Sequence, residues 1–455
     1  MVWYSDSNRS RREFLKQTAG AALAVGTLQW PEVLPAAAVA IQPFGVWLRR
    51  RVSPNEQIRV ACIGLGQRGS QHWQGWESVP GAVVVALCDV DQTVLARQAQ
   101  QFRAYTGRDV RLEVDYRRLL DDGTIDAVSV ATCNHTHALI TLTALQAGKH
   151  VYVEKLCSHN LWEGAQLVRA VQKYRGICFH GTQARSSPAV QQAISYLQGG
   201  LIGQVEVARI RAVAPGPAPT PGPDEPTPPG VAYDLWLGPA PVRPFNRARF
   251  HRHWRWWPEY GNGPLANHSF HLLDLARWGL GVSWPQRIRP GQNLPNGKIA
   301  SSVVGPELWQ VEFPGRKTIL VELWPAPPRP AKASACWRPT EAVTFYGTEG
   351  QMVVDCFGYR TWFARGREPG PAAKAPSQEF EQFLQAVRTR HIPPAAPDIL
   401  EGHRSCGLVH LINIARHLGR AIEFDPETQT IPADPEAFAL CRSSYRKPFL
   451  LPEIG

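Results

Sequence analysis

A glycine-rich turn that follows a short apolar run is the feature that most constrains how this chain folds. The run IRVACI (58 to 63) leads into GLGQRG, in which Gly64, Gly66 and Gly69 have G-x-G-x-x-G spacing. The first glycine permits a tight bend, the second lets a phosphate approach the backbone, and the third lets the following helix pack on the strand. The motif therefore predicts a dinucleotide-binding unit of strand, turn and helix. A glycine-rich surface turn is the alternative.

A second apolar run supplies the acidic residue that such a unit uses. AVVVALCD (82 to 89) ends at Asp89, about twenty residues beyond the third glycine, where a carboxylate binds the ribose hydroxyls. Because an acid at this position repels a 2′-phosphate, Asp89 favours NAD over NADP. Gln67 and Arg68 lie within the turn and are expected to contact the cofactor. The positive charge of Arg68 keeps NADP as an alternative.

The next segment predicts two further parallel strands joined by a helix. Its sequence IDAVSVATCNHTHALITLTALQAGKHVYVEK reads as strand, turn, helix and strand, the pattern of a βαβ unit. Ligands of such sheets bind at the carboxyl ends of the strands. The polar residues expected there, and assigned to cofactor binding, are Thr132, Asn134, His137, Glu154 and Lys155.

Cys133, His135 and His137 raise the question of a zinc site in the same turn. Zinc takes four protein ligands in structural sites and three plus water in catalytic sites. No matching cluster lies nearby in the sequence, so we expect no metal here. Hydrogen bonding beside the cofactor is the expected role of these histidines.

Length and composition set the class of protein. A chain of 455 residues, 44% hydrophobic and 19% charged, is expected to form two globular domains. No apolar run is long enough for a stable membrane span. The formal charge of +11 is spread without a long basic run, so we expect no nucleic-acid partner. Nine scattered cysteines without a CxxC pair predict no disulfide framework.

The N-terminus has the features of an export signal. Adjacent Arg11 and Arg12 in SRREFLK precede a mildly apolar stretch, and LPAAAVA then offers A-x-A cleavage sites that end at Ala38 or Ala40. The order of these features predicts twin-arginine export and a periplasmic location. A basic tail with a short helix is the alternative.

Six segments of the chain together carry a family resemblance. They are GLGQRG, ATCNHTH, GKHVYVEK, GTQARS (181 to 186), the tryptophan-rich segment 253 to 281 and EGHRS (401 to 405). Together they resemble the glucose-fructose oxidoreductase and inositol dehydrogenase family (Gfo/Idh/MocA), in particular its exported branch. The resemblance implies an N-terminal Rossmann domain that binds NAD(P) and an α+β C-terminal domain with an open, mostly antiparallel sheet. It also implies a homo-oligomer and a small carbohydrate or polyol substrate.

The resemblance also implies two catalytic residues. Lys155 stands at the lysine of the family's E-K-P motif, beside the nicotinamide and the reacting hydroxyl, and His271 stands at the general base. Leu156 replaces the proline of that motif, so the backbone restriction that would aim the lysine is weaker. Asn267 occupies a position where many members have an aspartate. A lysine that reaches water and a structural histidine are the alternatives.

Four further residues are candidates for substrate contact. Trp236 and Trp254 are expected to pack against a sugar ring, although tryptophans are equally common in protein cores. Gln183 and Arg185 follow an apolar run that ends at His180. Arg185 is alternatively the partner of a surface ion pair. Asn267 and His271 complete the expected substrate site.

The predicted organisation follows from these assignments. Residues 1–40 form the export signal, residues 55–180 the Rossmann domain, and residues 181–455 the substrate and oligomerisation domain. Alternating runs such as VEVARIRAV and TILVELW predict the second sheet. Residues 377 to 421 are expected to form helices that pack back on the first domain.

The resulting hypothesis is an exported oxidoreductase that oxidises a secondary hydroxyl of a sugar, glycoside or cyclitol with tightly bound NAD(P). Because free NAD is not evident outside the cytoplasm, the cofactor would be recycled in place. One alternative is a redox-neutral, NAD-dependent glycoside-cleaving enzyme of the same fold. The other is a non-catalytic sugar-binding relative, motivated by Leu156 and Ser269.

Overall fold

A computed structural model of the protein describes residues 57–214, 218–291, 306–325 and 342–455. The predicted export signal (1 to 40) lies outside the described residues. Within the described ranges, no helix has the length and apolar character needed to cross a membrane.

The first sheet has six parallel strands. In chain order they are β1 (Ile58–Ile63), β2 (Ala82–Cys88), β3 (Arg111–Glu113), β4 (Ala127–Val130), β5 (His150–Val153) and β6 (Cys178–His180). Their spatial order is β3-β2-β1-β4-β5-β6. Every residue of β4 and β5 is buried, which explains why their sequences are mostly apolar. The strand order reverses beside β1, and ligands of such sheets bind at this switch point.

Helices connect these strands. They are α1 (Gln67–Ser78), α2 (Gln92–Thr106), α3 (Arg117–Leu120), α4 (Asn134–Gln146) and α5 (Leu161–Tyr174). Polar side chains begin two of them: Asp91 accepts from the backbone N–H of Thr93 before α2, and Asn160 accepts from that of Glu163 before α5. The predicted Rossmann fold is therefore confirmed, and the short strand β3 is an element that the sequence analysis did not predict.

The second sheet has nine strands within the described residues. They are β7 (Val205–Val213), β8 (Arg287–Pro290), β9 (Glu307–Glu312), β10 (Thr318–Trp324), β11 (Ala342–Gly347), β12 (Gly350–Val354), β13 (Gly358–Phe363), β14 (Glu368–Lys374) and β15 (Ile422–Glu423). Their order is β14-β13-β12-β11-β7-β10-β9-β8-β15, and among these described strands only the β7–β10 pair is parallel. The predicted open, mostly antiparallel sheet is confirmed.

Helices cover the second sheet and return to the first. They are α6 (Pro188–Gln198), α7 (Tyr233–Leu237), α8 (Phe270–Leu280), α9 (Glu379–Thr389), α10 (Ile399–Leu418) and α11 (Pro435–Ala439). Short 3-10 segments are Gln183–Ser186, His251–Trp256, Pro314–Arg316 and Ala364–Gly366. Phe383 and Val387 of α9 join Trp73, Trp76 and Tyr152 in one core cluster. This packing confirms that helices within residues 377 to 421 pack back on the first sheet.

Candidate active site

In the glycine-rich turn between β1 and α1, the fold requires glycine at two positions, and at the third position a larger side chain would meet no steric clash. Gly64 has a φ of +84°, which favours glycine. A Cβ on Gly69 would lie 1.8 Å from the carbonyl oxygen of Gly64. A Cβ on Gly66 would meet nothing within 4 Å. Gly69 therefore serves helix packing, whereas Gly66 leaves free space at its surface.

A cavity of about 980 Å³ opens beside this turn. It is lined by predicted cofactor residues of the first sheet and by residues of the segment 228 to 255. The predicted site residues among them are Gly64, Gly66, Gln67, Arg68, Asp89, Thr132, Trp236 and Trp254. The volume lies at the upper end of the range for small-molecule and cofactor sites, of about 300 to 1,000 Å³.

Asp89 lies at the end of β2 and lines this cavity. One carboxylate oxygen accepts from the backbone N–H of Leu65 at 2.7 Å, and the other accepts from that of Asp91 at 3.0 Å. Burial raises the pKa of Asp89, although these two hydrogen bonds oppose the shift. Each carboxylate oxygen has more than one acceptor position, so both can still accept from a ligand hydroxyl.

A smaller cavity of about 320 Å³ adjoins the first, because Arg68, Thr132, Trp254 and Arg255 line both. It brings together predicted residues from the first sheet and from the start of α8. Those that line it are Arg68, Thr132, Asn134, His137, Glu154, Lys155, Gln183, Trp254, Asn267 and His271. Both predicted catalytic residues therefore lie at one small cavity.

Lys155 is held by backbone carbonyls from the far side of the cavity. Its ammonium donates to the carbonyl oxygens of Asn267 at 2.8 Å and Ala266 at 3.2 Å. Burial lowers the pKa of Lys155 to about 8, although the charge of Glu154 opposes the shift. The peptide bond between Lys155 and Leu156 is cis. These carbonyl contacts aim the lysine even though Leu156 replaces proline.

His271 enters from a helix with an irregular start. A π-helical turn, Leu265–Ser269, precedes α8, and it carries the two carbonyl groups that accept from Lys155. Burial and the neighbouring charge of Lys155 lower the pKa of His271 to about 3. The imidazole is therefore neutral near pH 7. Its Nδ1 is buried and has no hydrogen-bond partner among the described residues.

Glu154 is the centre of a hydrogen-bond network beneath the cavity. It accepts from Nε of Arg68 at 2.7 Å and from the side-chain amide of Gln183 at 2.9 Å, and Nε2 of His72 lies 3.1 Å away. Burial alone would raise the pKa of Glu154, but Arg68 and His72 hold it well below its usual range. The charge of Arg68 is thus paired with Glu154, and about a third of the Arg68 side chain stays exposed.

The ring nitrogens of His135 and His137 face backbone carbonyl oxygens. The ring nitrogens of His137 lie 2.7 Å from the carbonyl oxygen of Leu156 and 3.1 Å from that of Thr132. The ring nitrogens of His135 face the carbonyl oxygens of Trp236 and Tyr260. Burial lowers the pKa of His137 to about 4 and that of His135 to about 3. His137 thereby fixes the chain directly after Lys155.

Two predicted substrate residues lie away from the small cavity. Arg185 is buried and lines neither cavity, and it pairs with Asp274 at 2.8 Å and Glu401 at 3.0 Å. The ion pair proposed for it is therefore present, but it is buried and not at the surface. Trp236 belongs to an aromatic cluster with Phe250 and Tyr260 and lines only the large cavity.

Three residues of the site had no clear signal in the sequence. His72 lies on α1 and reaches Glu154 across the sheet. Asn262 accepts from the side-chain amide of Asn134 at 3.1 Å, and Arg255 lines both cavities. The segment HWRWW (253 to 257) contains Arg255, but its tryptophans are the stronger signal in the sequence. The contacts of Asn262 and His72 join residues far apart in the chain, which spacing does not encode.

Comparison with known proteins places both halves of the chain in one family. The model of an oxidoreductase family with an NAD-binding Rossmann fold (GFO_IDH_MocA) matches residues 58–182. The model of that family's C-terminal α/β domain matches residues 220–288 and 370–451. Together these matches span more than half of the chain.

Individual relatives are distant. Myo-inositol 2-dehydrogenase of Thermotoga maritima is 28% identical over 165 residues, which are 36% of this chain and 47% of that protein. Glycosyl hydrolase family 109 protein 1 of Shewanella sp. (strain ANA-3) is 27% identical over 210 residues, 44% of each chain. These alignments span about half the length of the curated relatives. The structure of levoglucosan dehydrogenase in complex with NADH and levoglucosan has a TM-score of 0.58 at 20% identity, covering 81% of this chain and 99% of that one. At this identity the likeness shows a shared fold.

Proposed function

Because the chain belongs to the Gfo/Idh/MocA oxidoreductase family, we propose that it oxidises a secondary hydroxyl of a sugar, glycoside or cyclitol with NAD. One observation carries the proposal: Lys155 and His271 line the same small cavity, at the edge of a larger cavity that begins at the glycine-rich turn. We assign the dinucleotide to the larger cavity, of about 980 Å³, and one sugar unit to the smaller cavity, of about 320 Å³.

The described residues fit a dinucleotide in the larger cavity. Gly66 leaves open space where a pyrophosphate would approach the backbone, and the N-terminus of α1 follows directly. Asp89 retains acceptor positions for ribose hydroxyls and disfavours a 2′-phosphate. NAD is therefore the proposed cofactor, and NADP is the alternative.

Lys155 orients and polarises the substrate hydroxyl in this proposal. An ammonium has three donors, and two of them bind the carbonyl oxygens of Ala266 and Asn267. The third is available to a substrate oxygen, where a positive charge stabilises developing alkoxide character. A lowered pKa also makes the lysine a better proton donor and acceptor near neutral pH.

His271 takes the hydroxyl proton. Its imidazole is neutral, so one ring nitrogen has a lone pair that can accept a proton. Asn267, which lines the same cavity, carries no charge that would raise the pKa of the imidazole. The bound nicotinamide supplies the two-electron acceptor for the carbon that bears the hydroxyl.

A redox-neutral glycoside-cleaving enzyme is the second candidate function. The observation that favours it is the similarity to glycosyl hydrolase family 109 proteins, which matches that to the dehydrogenases in extent. Bound NAD would supply reversible oxidation of the sugar in such a cycle, and the net reaction would be cleavage of the glycosidic bond by water, with no net change in the oxidation state of the cofactor. Twin-arginine export with the cofactor already bound is part of our proposal, and a self-recycling cycle would suit it.

Two measurements test these functions. The purified full chain is denatured and the released nucleotide is identified by mass, with NAD as the expected result. The native protein is then incubated with aryl glycosides without added NAD. Released phenol supports the cleaving enzyme, and a ketosugar with reduced cofactor supports the dehydrogenase. If the protein contains no nucleotide and binds none that is added, both functions are refuted.

A further inference from the structure

A second group of reactive side chains lies behind the candidate active site. Cys157 follows β5, His180 ends β6, and Cys406 lies in α10. All three are fully buried, and their ligand atoms lie within 4.8 Å of one another. The two sulfur atoms are 3.7 Å apart, and the sulfur of Cys406 is 3.7 Å from Nε2 of His180. The proposed oxidation reaction uses none of these residues.

The tautomer of His180 is fixed by its neighbours. The backbone N–H of Cys157 donates to Nε2 at 3.3 Å, so Nε2 carries the lone pair, and a metal ion bound there would replace this hydrogen bond. Nδ1 therefore carries the hydrogen and donates to the hydroxyl of Thr182 at 2.5 Å. Histidine ligands of metal ions use this arrangement, in which one ring nitrogen binds the ion and the other donates to a fixed acceptor.

The distances also suit a metal ion. With metal–sulfur bonds of about 2.3 Å and metal–nitrogen bonds of about 2.0 Å, tetrahedral ligands lie about 3.5 to 3.8 Å apart. The separation of the two sulfur atoms and that of the Cys406 sulfur from Nε2 of His180, both 3.7 Å, fall in that range. Two thiolates and an imidazole select thiophilic ions such as Zn²⁺ or Cu⁺ over Mg²⁺ and Ca²⁺. Two thiolates would also neutralise Zn²⁺, so the buried group would carry no net charge.

We propose that Cys157, His180 and Cys406 bind one thiophilic metal ion, either Cu⁺ with these three ligands or Zn²⁺ with a water molecule as its fourth ligand. The ion joins β5, β6 and α10 directly behind the catalytic pair. Phe270, which precedes His271, packs edge-on against the ring of His180 at 5.2 Å. Gly402 of α10 lies so close that a Cβ there would come within 2.7 Å of the same ring. This site differs from the one considered at Cys133, His135 and His137, and sequence spacing did not predict it.

The test measures metal retention by the full chain. The reduced protein is incubated with Zn²⁺ in one arm and with Cu⁺ in the other, and it is then dialysed. The metal content per chain is measured by inductively coupled plasma mass spectrometry. About one equivalent per chain is expected to remain in at least one arm, and the arms identify the ion. Cys157→Ala and Cys406→Ala are expected to lose at least tenfold in affinity. Cys178→Ala, a buried cysteine outside the cluster, is the matched control and retains the ion.

Two further measurements separate binding from folding. Thr182→Val leaves the three ligands in place but removes the acceptor that fixes the tautomer, so affinity is expected to fall about 10- to 100-fold. The ion is expected to raise the melting temperature of the wild type and of Cys178→Ala, but not of Cys157→Ala. A reduced wild type that retains neither ion, or ligand variants that retain as much as the wild type, would overturn the proposal. Neither outcome depends on the proposed oxidation.

Discussion

At the scale of single residues, the proposed reaction depends most on Lys155. Replacing it with methionine keeps an unbranched side chain but removes the donor that would polarise the substrate hydroxyl. We expect Lys155→Met to lower kcat/KM on an accepted sugar by about 10²- to 10⁴-fold, the usual contribution of a positioned acid–base group. Nucleotide retention, measured by mass after denaturation, should stay at the level of the wild type.

Lys149 offers a matched control for this substitution. It is also buried and also donates to two backbone carbonyls, those of Asp122 and Ile125, but it lines neither cavity. Lys149→Met should therefore cost stability and leave kcat/KM within about threefold of the wild type. Equal losses of activity in the two variants would show that Lys155 acts only through folding.

His271 leads to a prediction about pH. Burial and the charge of Lys155 lower its pKa to about 3, while Glu154 and Asp274 oppose the shift. A base with this pKa becomes protonated only as the pH falls towards 3, so its proton-accepting form is complete throughout the range from 5 to 8. The profile of kcat/KM against pH should then show no histidine limb near 6.5. An acidic limb near 6.5 that disappears in His271→Gln would show that the pKa of His271 is not lowered, although it would still identify His271 as the base. A limb that persists unchanged in His271→Gln would contradict the assignment.

At the scale of structural elements, the glycine-rich turn separates a binding role from a folding role. Gly66→Ala places its methyl group in open space, so the melting temperature should change little while affinity for NAD falls at least tenfold. Gly69→Ala would bring a Cβ to 1.8 Å from the carbonyl oxygen of Gly64, so the turn itself must shift. We expect that variant to unfold at a lower temperature. NAD binding by calorimetry and thermal unfolding distinguish the two effects, and equal affinity of Gly66→Ala and the wild type would argue against phosphate binding here.

The first turn of α8 is held by buried charges whose loss should affect stability. Arg185 pairs with Asp274, one turn after His271, and with Glu401 of α10. Arg185→Met leaves these carboxylates with Arg277 as their remaining buried cation, which should cost about 3 kcal/mol in the free energy of unfolding. Arg169→Met, at an exposed position of α5, should change it by about 0.5 kcal/mol or less. Urea unfolding measures both, and equal effects would show that the ion pairs contribute little.

Local elements were predictable from the sequence, but their irregular parts were not. The strand and turn at 58 to 69 were predictable because Gly64 and Gly69 meet local backbone requirements and Gly66 completes the spacing of the motif. The helix at His271 was also predicted, but the π-helical turn before it was not, because apolar spacing does not show an extra residue in a helical turn. That turn supplies the carbonyl groups that aim Lys155, so the aim of the lysine was unpredictable for the same reason.

At the scale of the whole molecule, the two layers of sheet were more predictable from the sequence than the contacts between distant elements. Both sheets were predicted from alternating and continuous apolar runs, which depend on burial alone. The network around Glu154 was not, because Arg68 and His72 precede it by 86 and 82 residues. The cluster of Cys157, His180 and Cys406 likewise unites three elements, one of them 249 residues beyond the first. Such groups form only when the complete fold brings distant elements together.

The large cavity makes a prediction about the stability of the whole chain. A ligand that binds only the folded state, present at 100 times its dissociation constant, stabilises that state by about 2.7 kcal/mol. We therefore expect NAD to raise the melting temperature, and NADP at the same concentration to raise it less, because the carboxylate of Asp89 lines the cavity.

Asp89→Asn tests the cause of that difference. Asparagine removes the negative charge, so the shifts produced by NAD and NADP should approach each other, each measured against the unliganded variant. The unliganded variant is the proper reference because the substitution also affects stability. Asp89 accepts from the backbone N–H groups of Leu65 and Asp91 through two oxygens, whereas an asparagine side chain has only one accepting oxygen. If the wild type were stabilised more by NADP than by NAD, the charge of Arg68 would outweigh that of Asp89, and the pairing of Arg68 with Glu154 would not neutralise it towards the cofactor.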